Sequence, residues 1–175
     1  MKRCVINIDG VLNYYPIPWL NFLKINGYSF DSIDDAKDEL GEFFYYDMKA
    51  LYRFSTMKRF MPVRNGALEF LYELKNSGYH IILSTKRPVI RFPHLEKWTK
   101  DWVKRNKIPH DELVFIRDRN IDFSWAEFII DDDYEYVCMY NEMWGNAYLF
   151  DGSFDLILEE LKELIQKKDR GNDEN

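Results

Sequence analysis

The sequence predicts an α/β protein with a three-layer, Rossmann-like core. Short runs rich in β-branched and aromatic residues alternate with longer segments whose apolar residues recur at helical spacing. This alternation of strand and helix is typical of a parallel sheet covered by helices on both faces. One long stretch near the amino terminus interrupts it and predicts a small helical insertion after the first strand.

Five strands are predicted, each short and bounded by polar or glycine residues. They are Arg3–Ile8, Tyr79–Ser84, Leu113–Ile116, Phe128–Ile130 and Ala147–Phe150. A helix over Asn65–Asn76 places three leucines on one face and stops at Gly78. A final helix, capped by Ser153, carries apolar residues as far as Ile165.

The segment from residue 14 to residue 60 is too long for a simple crossover. Helical patterns occur within it at Trp19–Ile25 and Asp34–Arg53, and it is rich in aromatic residues that a small helical unit needs for its own core. We therefore predict a core formed by residues 1–13 and 61–166, a helical cap at 14–60 and a disordered polar tail at 167–175.

Composition limits the classes of function. The 175 residues suffice for one α/β core with a modest insertion, and the net charge of -6 argues against binding to nucleic-acid polymers. A charged pair and a strand begin the chain where a signal sequence would be apolar, and no apolar run reaches membrane-spanning length. Cys4 and Cys138 both lie in or beside apolar segments, which indicates buried, reduced thiols rather than a disulfide. We expect a cytoplasmic protein that does not bind membranes.

Polar residues follow the predicted strands in a definite order. The first strand runs into Asn7–Gly10, the second into Ser84–Arg87 and the fourth into Asp131–Asp133, while Arg119 follows the third. Because ligands of open α/β sheets bind beyond the carboxyl ends of the strands, these residues are expected to share one site. A response-regulator receiver domain has its acidic pair after the first strand and its threonine late, so this order excludes it.

The four segments resemble the motifs of haloacid-dehalogenase (HAD)-like hydrolases, and their order is that of the family. Three further segments resemble the 5′-nucleotidase and 5′(3′)-deoxyribonucleotidase-like branch, namely Met61–Glu69, Glu96–Val103 and Trp144–Asp151. The resemblance implies a HAD-like core with a helical cap after strand 1, and it implies Mg²⁺ as the cofactor.

The resemblance also implies a role for each site residue. In the family the first Asp of an Asp-x-Asp pair attacks phosphorus and the second is the general acid and base; here these positions are Asn7 and Asp9. The implied metal ligands are Asn7, the backbone carbonyl of Asp9, Asp131 and Asp132. The implied phosphate-binding residues are Thr85, with Ser84 as the alternative, together with Lys86, Arg87 and Arg119.

Because position 7 is an asparagine, a resemblance to the family does not imply the activity of the family. A neutral amide is a poor nucleophile and cannot form the usual phosphoenzyme. Tight binding without turnover is the physical expectation. Three explanations stay open: an engineered Asp-to-Asn substitution that traps substrate, a natural pseudophosphatase that binds a nucleotide or other phosphorylated ligand, and hydrolysis by a metal-bound water with Asp9 as base.

The predicted function is that of a Mg²⁺-dependent phosphomonoester hydrolase, nucleotidase-like, with chemistry impaired by Asn7. The predicted partner is a small phosphorylated substrate, a nucleoside monophosphate, whose base would stack on one or two cap aromatic residues. The alternative is a non-enzymatic interaction module, which predicts no Mg²⁺ dependence and no stabilisation by phosphate analogues. The sequence gives no prediction of oligomeric state.

Overall fold

The computed structural model describes residues 2–117 and 121–162. Five parallel strands form one sheet in the order β3-β2-β1-β4-β5. Their bounds are β1 Lys2–Asn7, β2 Tyr79–Thr85, β3 Glu112–Phe115, β4 Phe128–Asp131 and β5 Ala147–Leu149. The predicted α/β Rossmann-like fold is confirmed, and each predicted strand end lies within one residue of the observed end.

Strand β1 lies at the centre of the sheet, and its register fixes what meets at the carboxyl edge. Asn7 pairs with Ser84 of β2, while Ile6 pairs with Ile130 of β4. The last four residues of β1 are buried, as expected for a central parallel strand covered on both faces. The ends of β1, β2 and β4 therefore lie side by side.

Helices cover both faces of this sheet and complete the three layers. The helices are α1 Ile17–Ile25, α2 Ile33–Leu40, α3 Glu42–Arg53, α4 Thr56–Arg59, α5 Ala67–Asn76, α6 His94–Arg105, α7 Tyr134–Met143 and α8, residues 154–162. One face packs against α5, α6 and α8, and the other packs against α7. Ser153 caps α8 as predicted, since its Oγ accepts a hydrogen bond from the Leu156 amide at 3.4 Å. The rest of the predicted final helix and the predicted tail at 167–175 lie outside the described residues.

Helices α1 to α4 form a helical insertion, residues 17–59, between β1 and α5. Its buried residues form a separate apolar cluster centred on Trp19, Leu23 and Tyr52. The prediction of one continuous helix over Asp34–Arg53 was wrong, because the chain breaks at Gly41, where φ is 71° and ψ is 157°. Glycine populates this backbone conformation readily, whereas residues with a Cβ rarely do.

The two ends of the helical insertion meet beside the loop that follows β1. Asn13 and Val63 form an antiparallel bridge, and the Arg64 amide donates to the Leu12 carbonyl at 2.9 Å. The Arg64 guanidinium also donates to the carbonyls of Gly10 at 2.9 Å and Val11 at 3.2 Å. Arg64 thus attaches the returning chain to the loop Ile8–Leu12.

Cys4 and Cys138 are both free thiols, as predicted, but the prediction that both are buried holds only for Cys4, since Cys138 is half-buried. Cys4 is fully buried within β1, and this burial raises the pKa of its thiol well above the usual range. Within the two described segments of the chain, no helix is both long enough and apolar enough to cross a bilayer.

Candidate active site

The loop Ile8–Leu12 begins the site, and Gly10 determines its path. Gly10 has φ of +87°, and a Cβ built there would lie 1.8 Å from Oδ2 of Asp132. Only glycine allows both this conformation and this close approach. The loop after β1 is thereby packed directly against the acidic residues that follow β4.

Asp9 is the most heavily hydrogen-bonded side chain of the site. Arg87 binds it with both ends of its guanidinium, Nε to Oδ2 at 2.8 Å and Nη2 to Oδ1 at 2.7 Å. The other donors are Lys58 Nζ at 3.2 Å, Asn13 Nδ2 at 3.0 Å and Thr85 Oγ1 at 3.3 Å. Bidentate contacts between arginine and a carboxylate are among the strongest ion pairs in proteins.

These contacts fix the charge of Asp9. Burial alone would raise the pKa of its carboxyl, but the attraction of Arg87 and Lys58 holds that pKa well below its usual range. The carboxylate therefore carries no proton in this state. An anion bound in the cavity would compete with Asp9 for these two cations and would thereby raise the pKa of its carboxyl.

Asn7 lies where three oxygen atoms converge. Its Nδ2 is 2.8 Å from the Asp9 carbonyl oxygen, 3.0 Å from Oδ1 of Asp132 and 3.3 Å from Oδ1 of Asp131. Burial raises the pKa of Asp131, and burial together with the neighbouring Asp131 charge raises the pKa of Asp132 to about 7. The raised pKa values show that nearby positive charge does not fully offset the burial and mutual repulsion of these two carboxylates.

The same atoms suit a hard divalent cation. Mg²⁺ prefers oxygen ligands, and the Asp9 carbonyl, Asp131 and Asp132 supply three that point to one place. Asn7 Nδ2 now lies where these three oxygen atoms converge, and Asn7 Oδ1, which is buried without a hydrogen-bond partner, would join them as a ligand if the amide turned over. Among the described residues no three acidic, His or Cys side chains cluster into a metal site. An ion here would depend on the Asp9 carbonyl and the Asn7 amide as well as the two carboxylates.

Lys86 is directed at the acidic residues. Its Nζ lies 3.2 Å from Oδ2 of Asp131, 3.2 Å from Oδ2 of Asp133 and 3.6 Å from the centroid of the Tyr136 ring. Asp133 in turn caps α7 by accepting a hydrogen bond from the Tyr136 amide. Lys86 therefore supplies positive charge next to Asp131 and links β2 to the start of α7.

Seven of the sequence-predicted site residues meet at the carboxyl edge of the sheet. They are Asn7, Asp9, Thr85, Lys86, Arg87, Asp131 and Asp132. Of the two hydroxyl residues proposed to bind phosphate, Thr85 contacts Asp9 through its Oγ1. Successive side chains of a strand point to opposite faces, so Ser84 lies on the other face of β2. Arg119 lies outside the described residues.

Sequence reasoning missed two residues that contact Asp9. Lys58 comes from the short helix α4, and nothing in the sequence around it distinguishes it from the rest of the 24 Lys and Arg residues of the chain. Asn13 follows the apolar pair Val11-Leu12, and it accepts hydrogen bonds from the Gly10 and Tyr15 amides besides donating to Asp9. The sequence offered one signal for Asn13, a polar residue directly after the motif and its apolar pair, and only the structure shows that Asn13 is fully buried.

A cavity of about 580 Å³ lies over Asp9, between the strand ends and the helical insertion. The strand ends contribute Asn7 and Arg87, and the insertion and its flanks contribute Tyr15, Lys49 and Lys58. This volume is within the range of small-molecule sites. The arrangement can hold an anionic ligand against Arg87 and Lys58, beside the oxygen atoms around Asn7.

Comparisons with known proteins give structural matches only. No protein-family model matches the chain, and no curated protein sequence matches it. A hydrolase from Streptococcus pneumoniae TIGR4 superposes with a TM-score of 0.61 at 15% identity, over 91% of this chain and 100% of that one. A predicted phosphatase from Clostridium acetobutylicum gives 0.58 at 15% identity, over 87% and 86%. A HAD-superfamily hydrolase from Ehrlichia chaffeensis gives 0.52 at 15% identity, over 94% and 99%.

The chain has an α/β Rossmann-like fold that matches these solved hydrolases, one of which belongs to the HAD superfamily. The fold implied by the strand-end motifs is thus confirmed, and the matched structures include a predicted phosphatase and a HAD-superfamily hydrolase. At such low identity a structural match describes the fold alone. The 5′-nucleotidase branch, the cap boundaries at 14–60 and the roles of the individual site residues stay predictions.

Proposed function

We propose that this protein is a Mg²⁺-dependent phosphomonoester hydrolase of the HAD-like type in which Asn7 impairs turnover. One observation carries the proposal: Arg87 and Thr85 from β2 and Lys58 from the helical insertion converge on Asp9, next to the oxygen atoms around Asn7. Phosphoryl transfer needs positive charge around the phosphate, a positioned nucleophile and a proton donor for the leaving group. The site offers the first of these and a candidate for the last.

In the proposed mechanism the phosphate replaces part of the hydrogen bonding that Asp9 now receives. Arg87 and Lys58 would donate to phosphate oxygens, with Thr85 as an added hydroxyl donor. Relieved of part of this attraction, Asp9 could take up the proton that it later gives to the leaving alkoxide. With the Asn7 amide turned so that its Oδ1 replaces Nδ2, Asn7, the Asp9 carbonyl, Asp131 and Asp132 would hold Mg²⁺, which would neutralise charge on the phosphate.

Asn7 decides whether the bound phosphate is transferred. Its amide oxygen is a weak nucleophile, and its Nδ2 is already engaged by the three neighbouring oxygen atoms. We therefore propose binding with little or no turnover in this chain, whether Asn7 is natural or engineered. A pseudophosphatase that holds its ligand for regulation is the second candidate, because the binding groups around Asp9 do not depend on a carboxylate at position 7.

The proposed substrate class is a small phosphorylated molecule, with nucleoside monophosphates as the first candidates. The segments Met61–Glu69 and Trp144–Asp151 favour the nucleotidase branch, and Tyr15 and Tyr52 give the cavity aromatic walls. The free thiols of Cys4 and Cys138 support the expectation of a reducing, cytoplasmic setting.

The test measures phosphate release from a panel of nucleoside monophosphates with Mg²⁺, on this chain and on Asn7→Asp. We expect Asn7→Asp to hydrolyse at least one of them at least about 1,000-fold faster than this chain, the scale on which a covalent nucleophile contributes. Asn26→Asp is the matched control, since it adds the same charge at the exposed end of α1. Thermal shifts with inorganic phosphate and Mg²⁺ measure binding independently of turnover.

A second substitution ties any activity to this site. Asp9→Asn in the Asn7→Asp background should abolish turnover, because it removes the proposed proton donor. If Asn7→Asp is inert towards every nucleotide, and neither protein is stabilised by phosphate with Mg²⁺, the phosphatase proposal is overturned and the interaction module becomes the better description.

A further inference from the structure

The cations that line the cavity fall into two groups. Lys58 and Arg87 are paired with Asp9, Lys86 is paired with Asp131, and Lys37 lies 3.8 Å from Asp34. Within residues 2–117 and 121–162, the two remaining lining cations, Lys49 and Arg53, have no carboxylate at ion-pair distance. These two are the cations whose charge the protein leaves uncompensated.

Lys49 is the more deeply placed of the two. It is only 8% exposed, and its Nζ donates to the Tyr15 hydroxyl at 2.7 Å. The same nitrogen lies 4.3 Å from the centroid of the Trp19 ring, and the rings of Tyr45 and Tyr52 are at 5.8 Å. Aromatic faces stabilise an ammonium, but they carry no net negative charge.

The electrostatic state of Lys49 reflects that lack of a counter-charge. Burial, with repulsion from Lys58 and Arg53, lowers the pKa of its amine to about 6. The charged and titratable groups that surround it are Tyr15, Tyr45, Tyr52, Lys37, Arg53, Lys58 and Asp9. An anionic group brought into the cavity would favour the protonated form.

Lys49 lies close to the proposed phosphate site without being part of it. The Tyr15 ring is shared, with Lys49 Nζ at 4.8 Å and Lys58 Nζ at 5.5 Å from its centroid. Lys58 contacts Asp9, whereas Lys49 contacts the Tyr15 hydroxyl. Arg53 follows Lys49 by four residues in α3, so the two cations occupy the same side of that helix and both line the cavity.

We propose that Lys49, assisted by Arg53, binds a second anionic group of the substrate, a carboxylate or a second phosphate, next to the phosphate that contacts Arg87 and Lys58. The substrate class becomes small phosphomonoesters that carry another acidic group. A neutral nucleobase alone would leave Lys49 without a counter-charge, whereas a nucleoside bisphosphate or a phosphorylated acid would supply one. This inference rests on the proposed function, because that function assigns the phosphate end of the cavity.

Non-hydrolysable phosphonates test the inference by calorimetry on the full chain with Mg²⁺. Butylphosphonate has one anionic end, 4-phosphonobutyrate replaces its terminal methyl by a carboxylate, and propane-1,3-bisphosphonate carries a second phosphonate. We expect at least one of the two probes with a second anionic group to bind about tenfold or more tightly than butylphosphonate. The stronger of the two identifies the second group as a carboxylate or a phosphate.

The variants assign that preference to one side chain. Lys49→Met keeps the length of the stem without its charge and should reduce the preference to less than about twofold. Lys104→Met, on the exposed side of α6, is the control and should retain the full preference. Circular dichroism on both variants verifies the fold.

The outcomes separate the two proposals. If butylphosphonate binds and neither second anionic group improves affinity, the inference is wrong while the proposed phosphate site stands. If Lys49→Met keeps the preference, the assignment to Lys49 is overturned. If neither butylphosphonate nor inorganic phosphate binds this chain, the proposed function fails, and the inference fails with it.

Discussion

Lys58 Nζ of the helical insertion lies 3.2 Å from Oδ1 of Asp9, on the loop after β1, and both side chains are largely buried. Asp9 also receives two hydrogen bonds from Arg87, so its single negative charge faces two cations. The helical insertion therefore contributes positive charge directly to the site that it covers. An anionic ligand would find more positive charge here than Asp9 alone neutralises.

The first prediction separates ligand binding from stability at Lys58. We expect Lys58→Met to weaken the affinity for inorganic phosphate about tenfold, or ~1.4 kcal/mol. The free energy of unfolding should change by less than about 1 kcal/mol, because Arg87 still binds both oxygens of Asp9. Calorimetry and urea denaturation measure the two quantities. Lys97→Met, which removes an exposed pair with Asp101, should change neither. Unchanged phosphate affinity in Lys58→Met would contradict the role given to this lysine.

The second prediction concerns the support of Arg87. Thr99 Oγ1 accepts a hydrogen bond from Arg87 Nη1 at 2.7 Å and donates to the Leu95 carbonyl at 2.6 Å, all within the buried interior. Thr99→Val keeps the shape and leaves a guanidinium N–H unpaired, so we expect a loss of about 1–3 kcal/mol in the free energy of unfolding. Thr56→Val on the exposed start of α4 should cost less than about 0.5 kcal/mol. Equal losses in the two variants, measured by urea denaturation, would count against this role of Thr99.

The third prediction uses two glycines that share a positive φ. Gly10 (φ +87°) has the Asp132 carboxylate 1.8 Å from a built Cβ, whereas Gly27 (φ +92°) has no heavy atom within 4 Å. Gly27→Ala should cost the backbone strain alone, about 1–2 kcal/mol. Gly10→Ala should cost at least about 3 kcal/mol, because the loop or Asp132 must also move. Thermal denaturation of both variants measures the difference, and similar melting temperatures would show that Asp132 moves aside freely.

The fourth prediction is a pH dependence caused by Lys49. Its pKa is about 6 in the folded chain, below the ordinary value of 10.5, so the unfolded chain binds more protons between these limits. The stability of this chain should therefore rise with pH across that window. Lys49→Met lacks this slope and should be more stable by on the order of 3 kcal/mol near pH 6.5, with the difference closing towards pH 10. Urea denaturation at several pH values measures it.

Lys97→Met is the control for that series, since its exposed ammonium has no such burial. A Lys49→Met variant that is less stable than the parent at pH 6.5 would mean that the surrounding aromatic rings stabilise the ammonium by more than burial destabilises it. Greater stability together with a lost preference for doubly anionic probes would identify Lys49 as a residue kept for binding at the expense of stability.

Much of the fold could be predicted because its signals are local. The strands β1 and β4 are buried on both faces, which gives short apolar runs that end at polar residues. The helix break at Gly41 could not be predicted, because the helical pattern continues through this residue from α2 to α3 and only the backbone conformation shows the break. A single glycine within a helical pattern is often tolerated, so the sequence alone did not separate the two cases.

The site could be predicted where its residues follow strands, since parallel strand ends meet at one edge. Asp9, Thr85 and Asp131 were identified on this basis, and the structure brings them together. Lys49 and Lys58 could not be identified, because their place in the site depends on how the helical insertion folds over the sheet. The charge state of Asp9 could not be predicted from the sequence either, because it depends on the two hydrogen bonds that Arg87 donates to its carboxylate.

The bridge between Asn13 and Val63 has a consequence for the history of such a chain. The bridge holds together the two ends of the segment between Asn13 and Val63. The entropic cost of closing such a loop rises only with the logarithm of its length, by about 0.6 kcal/mol for each doubling. Helices between these two residues can be lengthened, shortened or exchanged while the sheet and the loop Ile8–Leu12 keep their places. Changes in the length of the part that carries Lys49 and Lys58 would thus cost little in loop closure, and the proposed ligand contacts could vary there while the α/β core stays the same.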